Sequence, residues 1–524
     1  MTPHDLLIIG GGASGACLAY EAVRRGLKVA LLEAGDLGCA TSCRSTKLLH
    51  GGVRYLELAF KTADPSQLQL VREALHERGH WLQQAPFLAR RLELALPTAE
   101  PISQLYYRLG LGLYDMLAGQ TGIGSSRWLR QAQLYGALPQ LRDGLSGGVA
   151  YSDGQFDDAR LNLLLALTAE RAGAALQTRC RVTALTKDGQ GRINGAISTA
   201  ADGREQHWPA HVVVNATGIQ ADAVRQMAEP DCTPRMLTSR GVHVVLDADL
   251  CPQGVGLLLP ATDDGRVLFM LPFYGRTLVG TTDQACPLTD ATAPSQAEQT
   301  YLLDYVHRWF PQLGNQRVSS CWAGGRPLLK PADGARSSSR VVREHEVERL
   351  PSGLISVMGG KWTTCRPMAL DTLAAVENLL GRPLPQPAAM PLIGADPDPD
   401  RTAVNLSRQR QELQALLPDT PEGAVQARHL QGQFGVDAVR LVHSWSPAER
   451  QPLSKVIPVC KGELRHGIQF EHARSVTDVL ARRCRLAMVD EQEATRLSPL
   501  VHELLEIHTD STAADREAAL NLNH

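Results

Sequence analysis

Several things this chain does not contain narrow its function first. Its 524 residues include eleven cysteines, but they are scattered, with no C-x-x-C pair and no metal-like grouping. No metal site or disulfide framework is therefore expected, and free thiols suit a reducing compartment. No basic tract or zinc-finger spacing occurs and the formal net charge is −2, which argues against broad nucleic-acid binding. No apolar run reaches the roughly 18 residues of a membrane span. The first strand is expected near residue 5, which leaves no room for a signal or transit peptide. These absences point to a cytoplasmic protein, soluble or peripheral on the inner face of the cell membrane.

What is present is organised around Asp5 to Glu33. An apolar run, Asp5-Leu6-Leu7-Ile8-Ile9, leads into Gly10-Gly11-Gly12-Ala13-Ser14-Gly15. Gly10, Gly12 and Gly15 stand at G-x-G-x-x-G spacing, which serves a sharp turn, close approach of backbone to a pyrophosphate, and tight helix–strand packing. Ala13 to Arg25 carries apolar residues at helical spacing, and Gly26 follows as a helix stop. Lys28 to Leu32 is a second buried strand that delivers Glu33, followed by Ala34, where a carboxylate can accept from an adenosine ribose. The bare glycine pattern is a weak signal. The ordered strand, glycines, helix, strand and acid make a dinucleotide site the better reading than a ligand-free turn.

Next comes Cys39-Ala40-Thr41-Ser42-Cys43-Arg44-Ser45-Thr46-Lys47-Leu48-Leu49-His50-Gly51-Gly52-Val53-Arg54-Tyr55, polar and glycine-containing, as a loop lining a cofactor would be. From Ala40 to Glu57 the chain closely resembles the FAD-dependent glycerol-3-phosphate dehydrogenase family of the aerobic, quinone-linked type. The resemblance continues at Tyr151 to Arg160, at Arg240-Gly241-Val242-His243, at Gly280-Thr281-Thr282-Asp283, at Gly324-Gly325-Arg326-Pro327-Leu328 and at Gly359-Gly360-Lys361-Trp362-Thr363-Thr364. Two departures are present. Ile219-Gln220 stands where the family has Pro-Trp after Ala216-Thr217-Gly218, and Trp362 where a smaller residue is common. Val476 to Met488 resembles a further family segment, so the likeness covers nearly the whole chain.

The resemblance implies an α/β architecture, with a Rossmann-like FAD-binding domain, an antiparallel-sheet substrate domain and a helical C-terminal domain. The expected boundaries are 1–65, 146–225 and 340–382 for the FAD-binding domain, 66–145 and 226–339 for the substrate domain, and 400–524 for the helical one. Residues 66–145 read as a helical insertion, with helices over Val71 to Trp81 and Ile102 to Leu117. Between Met236 and Thr282 short alternating strands separated by turn signals indicate the antiparallel sheet. Leu176 to Leu185 reads as one strand, and residues 383–399, with six prolines, as a linker. The last sixteen residues read as a polar tail.

With the fingerprint, the resemblance gives the expected FAD contacts: Gly10, Gly12, Ala13, Ser14, Gly15, Glu33, Ala34, Thr41, Ser45, Lys47, Leu48, His50, Val182, Ala216, Gly218, Gly360, Lys361, Trp362 and Thr363. Val182 would meet the adenine side, and Lys47 and His50 the flavin ring. Arg54, Arg326 and Lys361, matched to family motifs, form an expected anion clamp that also polarises the hydroxyl, with Arg54 and Arg326 expected to be catalytic and Tyr55 and Thr282 beside them. His243 is the expected base, taking a hydroxyl proton while a hydride moves to flavin N5. Asp157, Asp158 and Asp283 read as structural.

Three function classes compete. One is FAD-dependent oxidation of sn-glycerol 3-phosphate, or a similar phosphorylated polyol, to dihydroxyacetone phosphate with quinone as acceptor. Another is an amine, amino-acid or glycerol-3-phosphate oxidase using oxygen. The third is a flavin binder without activity. The single fingerprint argues against a second, nicotinamide site. A peripheral membrane contact through Ile102 to Leu117, with Arg90, Arg91 and Arg108 nearby, follows from a quinone acceptor; a homodimer is left open.

Overall fold

The computed structural model describes residues 2–52, 65–200, 202–260, 262–314, 316–330 and 345–509. The first sheet begins where the apolar runs place it. Leu6, Leu7 and Ile8 of the strand His4–Ile9 are fully buried. This strand lies between two parallel partners, Val29–Leu32 and Glu205–Asn215. Ile355–Gly359 extends the sheet in parallel on one side, with His345–Arg349 antiparallel at its edge, and Ala175–Gln177 extends the other side. Parallel neighbours require crossover connections. Helix α1 (Ala13–Val23) supplies the first and packs with Asp158–Arg171 and Cys365–Leu380 into one apolar layer. Strands covered in this way read as continuous apolar runs. Their carboxyl ends, followed by Gly10, Glu33 and Ala216, share one edge of the sheet, where open α/β folds bind ligands.

The second sheet is mainly antiparallel. Met236–Leu246 pairs with Arg276–Gly280 on one side and Val318–Leu329 on the other. Leu268–Phe273 and Gly256–Leu259 come next, and then Ala89–Thr98 and Gly147–Phe156. The four strands expected between Met236 and Thr282 are thus present. Two expectations change. The segment 66–145 is not only helical, because between helix α2 (Pro65–Gln84) and helix α3 (Pro101–Ala118) it contributes the strand Ala89–Thr98. The alternation of buried Leu92, Leu94 and Leu96 was its period-two signature. Gly147–Phe156 pairs along its whole length with that strand, so the chain returns to the nucleotide layer at Asp157 rather than 146. Asp157 caps the helix that follows, its carboxylate accepting from the Arg160 N–H at 3.0 Å.

The strand expected over Leu176 to Leu185 is two strands, Ala175–Gln177 and Cys180–Lys187, split near Arg179, whose φ is +54°. The proline-rich stretch is a strap rather than a free linker. Leu384, Met390, Leu392 and Ile393 pack on the first core, and the Ala388 N–H donates to the Arg24 carbonyl at 2.8 Å. Apolar residues between the prolines give it something to bury. The helical C-terminal part packs on the second sheet, with Ile457, Leu464, Val479 and Leu486 in one cluster with Val245, Leu258 and Leu271. Its last described helix is Glu491–Thr509; the expected tail beyond it lies outside the described residues.

Candidate active site

A cleft of about 490 Å³ is lined from both sheets. Gly10 opens it with φ +106°, and a Cβ there would stand 2.7 Å from the Ala216 carbonyl oxygen. Gly15 does not line the cleft; its missing Cβ lets α1 approach the strand, since one would lie 1.9 Å from the Gly10 oxygen. Gly12, Ala13 and Ser14 line the cleft at the N-terminus of α1, where partial positive charge favours phosphate. Ser42 Oγ accepts from the Ala13 N–H at 2.9 Å. Glu33 accepts from the Gly11 N–H through one oxygen and the Gly35 N–H through the other, both at 2.7 Å. Burial pushes its pKa up against those two amides. A carboxylate oxygen accepts more than one bond, so the oriented Glu33 keeps capacity for ribose hydroxyls. Ala34, Val182, Ala216 and Gly218 line the same end. A loop that admits backbone amides but no side chains, a helix N-terminus and an oriented acid together fit a dinucleotide.

The other end is built from the loop after the fingerprint. Thr41 Oγ1 donates to the Gly325 carbonyl at 2.5 Å, tying the loop to the second sheet. Trp362 Nε1 donates to the Ser42 carbonyl at 3.0 Å, and its ring meets Phe156 edge to face. Ser45 lines the cleft, yet its hydroxyl and N–H both go to Asp158, at 2.7 and 3.0 Å. Leu48 and His50 line the cleft, as do Gly360, Lys361 and Thr363.

Lys47 does not. The structure turns it into the interior, 1% exposed, with Nζ donating to Asp158 and to the Cys43 carbonyl, both at 2.7 Å, above the Trp322 ring at 4.5 Å. Its expected place at the flavin ring is thereby corrected. Lys47 has φ +63°, outside extended backbone, and its side chain is turned inward while Thr46 and Leu48 line the cleft; a buried ammonium there requires a partner. Burial and nearby Arg485 pull its pKa down to about 8, with Asp158 opposing. Asp158 also accepts from Arg485 at 2.9 Å, so reading it as structural holds.

His243 is 2% exposed and borders the cleft. Its Nε2 lies 2.9 Å from the Thr46 hydroxyl, and its ring stacks on Trp322 with centroids 4.2 Å apart. Burial, then Lys47 and Arg326, hold its pKa well below the usual histidine range. The imidazole is therefore neutral near pH 7 and able to accept a proton. Arg326 reaches the cleft while donating to Thr281 Oγ1 at 3.0 Å and the Thr282 carbonyl at 2.8 Å. Asp283 accepts from Arg326 at 3.3 Å and stays structural.

Thr282 is corrected as a substrate contact. It is 1% exposed, its hydroxyl donating to Glu298 and accepting from the Val242 N–H; its side chain completes the strand pairing that lost regular register there. Arg54 and Tyr55 lie outside the described residues. The sequence reading missed Ser42, Thr46 and Trp322. Ser42 and Thr46 lie inside the quoted motif, and Trp322 stands four residues before Arg326, within the same strand.

Comparisons with known proteins identify the family. The family model described as FAD dependent oxidoreductase matches residues 5–369, and that described as the C-terminal domain of alpha-glycerophosphate oxidase matches 386–516. The chain is 38% identical to the mitochondrial glycerol-3-phosphate dehydrogenase of Homo sapiens, over 96% of this chain and 70% of that one. With the probable mitochondrial enzyme of Dictyostelium discoideum it is 36% identical, over 96% and 80%. The chain belongs to the FAD-dependent glycerol-3-phosphate dehydrogenase family. A solved glycerol-3-phosphate dehydrogenase from Bacillus halodurans, complexed with FAD, superposes with a TM-score of 0.76 at 26% identity, covering 99% of this chain and 94% of that one. A glycerophosphate oxidase from Mycoplasma pneumoniae, 18% identical, shares the fold, with a TM-score of 0.57, 75% of this chain and 98% of that one. FAD is the family's cofactor and the one this cleft fits.

Proposed function

We propose that this protein oxidises sn-glycerol 3-phosphate to dihydroxyacetone phosphate and passes the electrons to a quinone. The observation that carries the reading is one cleft holding the dinucleotide loop at one end and a neutral, buried His243 beside Arg326 at the other. FAD, bound by Gly10, Gly12, Glu33 and the loop at Thr41 to His50, supplies the hydride acceptor. The chain's own residues do the rest. Arg326 and Lys361, with Arg54, hold the phosphate, as guanidinium and ammonium groups suit an anion. His243 Nε2 accepts the hydroxyl proton, exchanging its Thr46 partner for substrate.

The quinone part rests on α3. Ile102 is 81% exposed, Leu109 67% and Met116 71%, and Leu105 and Tyr106 accompany them. Such an apolar helix face suits lying in a membrane surface, and among the described residues no helix is long and apolar enough to cross one. Arg108 donates to Ser126, Arg90 to Gln155 and Arg91 to Ser152, so each of the expected lipid-facing cations also has a partner in the protein, and Arg91 is 54% exposed. The deciding experiment mixes FAD-loaded protein with glycerol 3-phosphate without oxygen. Bleaching of the flavin, then recovery on adding a quinone faster than on adding air, is the expected result. Faster recovery in air would favour an oxidase, and no bleaching would remove the substrate assignment.

A further inference from the structure

One face of α3 is exposed, but the opposite face reaches Gly51, next in the chain to the cleft-lining His50. Tyr114 there is 1% exposed, and its hydroxyl accepts from the Gly51 N–H at 2.7 Å. The same hydroxyl donates to Asp153 at 2.9 Å, and Asp153 is paired with Arg78 of α2, also at 2.9 Å. Arg78 further donates to the Ser152 carbonyl at 3.1 Å. All three side chains are at most 2% exposed. Gly51 is held from the side as well. A Cβ on it would lie 2.7 Å from Leu75 and 2.9 Å from the Tyr114 ring. Three elements, α2, α3 and the strand Gly147–Phe156, thus converge on a single backbone amide, and the residue before it is His50, which lines the cleft. Burying a tyrosine, an arginine and an aspartate for one amide is a costly arrangement for packing alone, since ordinary apolar residues would pack the same space.

We propose that Tyr114, seated on Asp153 and Arg78, is a positioning residue for the turn His50–Gly52, so that α3 fixes where His50 stands against the bound flavin. This rests on the reading that the His50 end of the cleft holds the flavin ring. Burial pushes the Tyr114 hydroxyl up, so it stays protonated and performs both of its bonds at once. Removing the hydroxyl frees the Gly51 amide, and displacement of a cleft residue by a fraction of an ångström is enough to alter rate without altering what binds.

The test compares four full-length, FAD-loaded proteins: the wild type, Tyr114→Phe, His50→Ala and Gln104→Ala. Gln104 anchors α3 elsewhere, donating to the Leu129 and Gly148 carbonyls, so its variant reports mere loosening of the helix. Each is measured for thermal midpoint, visible spectrum of the bound flavin, and anaerobic single-turnover reduction by glycerol 3-phosphate. Tyr114→Phe should move the flavin band in the direction His50→Ala moves it. It should also slow saturated reduction about tenfold, with half-saturation changed by less than about twofold. Gln104→Ala should lower the midpoint and leave spectrum and rate alone. A Tyr114→Phe spectrum and rate equal to wild type, with His50→Ala altered, overturn the proposal and leave the flavin assignment standing. If His50→Ala is itself silent, the assignment of that end of the cleft fails, and the proposal with it. Should Tyr114→Phe not accumulate folded, Asp153→Asn keeps the phenol and weakens its seat. A smaller shift in the same direction is then expected, and no shift overturns the proposal.

Discussion

At the scale of residues, two kinds of substitution separate cofactor from substrate. Gly12 lines the cleft, and a Cβ there would already stand 3.0 Å from Ser42 Oγ. Gly12→Val puts a branched side chain where the pyrophosphate must lie, so this variant should purify folded but without FAD. A folded Gly12→Val with a full complement of flavin would show that the loop does not hold the cofactor. On the substrate side, the roles divide by kinetics. In the proposed mechanism Arg54 and Arg326 act on the phosphate whether or not the reaction has begun, so Arg54→Ala should raise KM steeply with kcat little changed. In the same mechanism His243 acts as the proton leaves, so His243→Ala should lower kcat by about 10²-fold or more. Among the described residues its Nδ1 has no hydrogen-bond partner while Nε2 has the hydroxyl of Thr46, itself a cleft residue, so Nε2 is the nitrogen that would exchange its partner for substrate. A His243→Ala enzyme with normal single-turnover flavin reduction would remove this histidine from the chemistry.

At the scale of elements, α3 shows what a sequence discloses and what it conceals. Its apolar residues at helical spacing announced a helix, but the same pattern serves a buried face and an outward one. In the structure the outward set is Ile102, Leu105, Tyr106, Leu109 and Met116, and the inward set Leu111, Tyr114 and Ala118. Leu109→Glu places a charge in the middle of the outward face. It should abolish cosedimentation with anionic liposomes and slow quinone reduction, leaving reduction of the flavin by substrate unchanged. Wild-type protein that ignores such liposomes would return this face to ordinary surface. The fingerprint strand and helix were legible because each step has a local physical cause: buried run, glycine turn, helix, acid. Ala89–Thr98 was not read because its alternation lies inside a segment with strong helical patterning on both sides. Lys47 and Thr282 were misplaced for a different reason. A motif gives the residues at a site, but the local backbone, left-handed at Lys47, and the partners supplied by Asp158 and Glu298 decide which of them face inward.

At the scale of the whole molecule, the C-terminal part is joined to the FAD loop by buried charge. Arg482 and Arg483 both donate to Asp36, which stands three residues after Glu33, and Arg483 also donates to the Glu471 carbonyl. Burial alone would push Asp36 up, but Arg483 and Arg482 outweigh it and hold its pKa at about 2, below the ordinary 3.8. Glu471 is held at about 2 in the same way, by Arg160 and His466 against its burial. The sign follows from linkage. A carboxyl group whose pKa is depressed on folding stabilises the folded state above its unfolded pKa, and that contribution disappears as pH falls through the folded value. The fall should therefore begin near pH 4 and be complete near pH 2. Because Asp36 sits on the loop that carries the cofactor, acid should loosen the C-terminal part and release FAD together, in one transition seen by both flavin fluorescence and far-ultraviolet circular dichroism. Asp36→Asn removes the carboxylate that both guanidinium groups share, leaving Arg482 with Asp478 and Arg483 with Glu471, so it should cost up to about 3–5 kcal/mol at neutral pH. It should also flatten the acid slope of stability, since the group that titrates is gone. An Asp36→Asn protein with the wild-type slope between about pH 4 and 2 would assign acid sensitivity to Glu471 and its neighbours instead. Flavin released in acid well before any loss of helix would separate the cofactor loop from the C-terminal part, and the charge network would then not be what joins them.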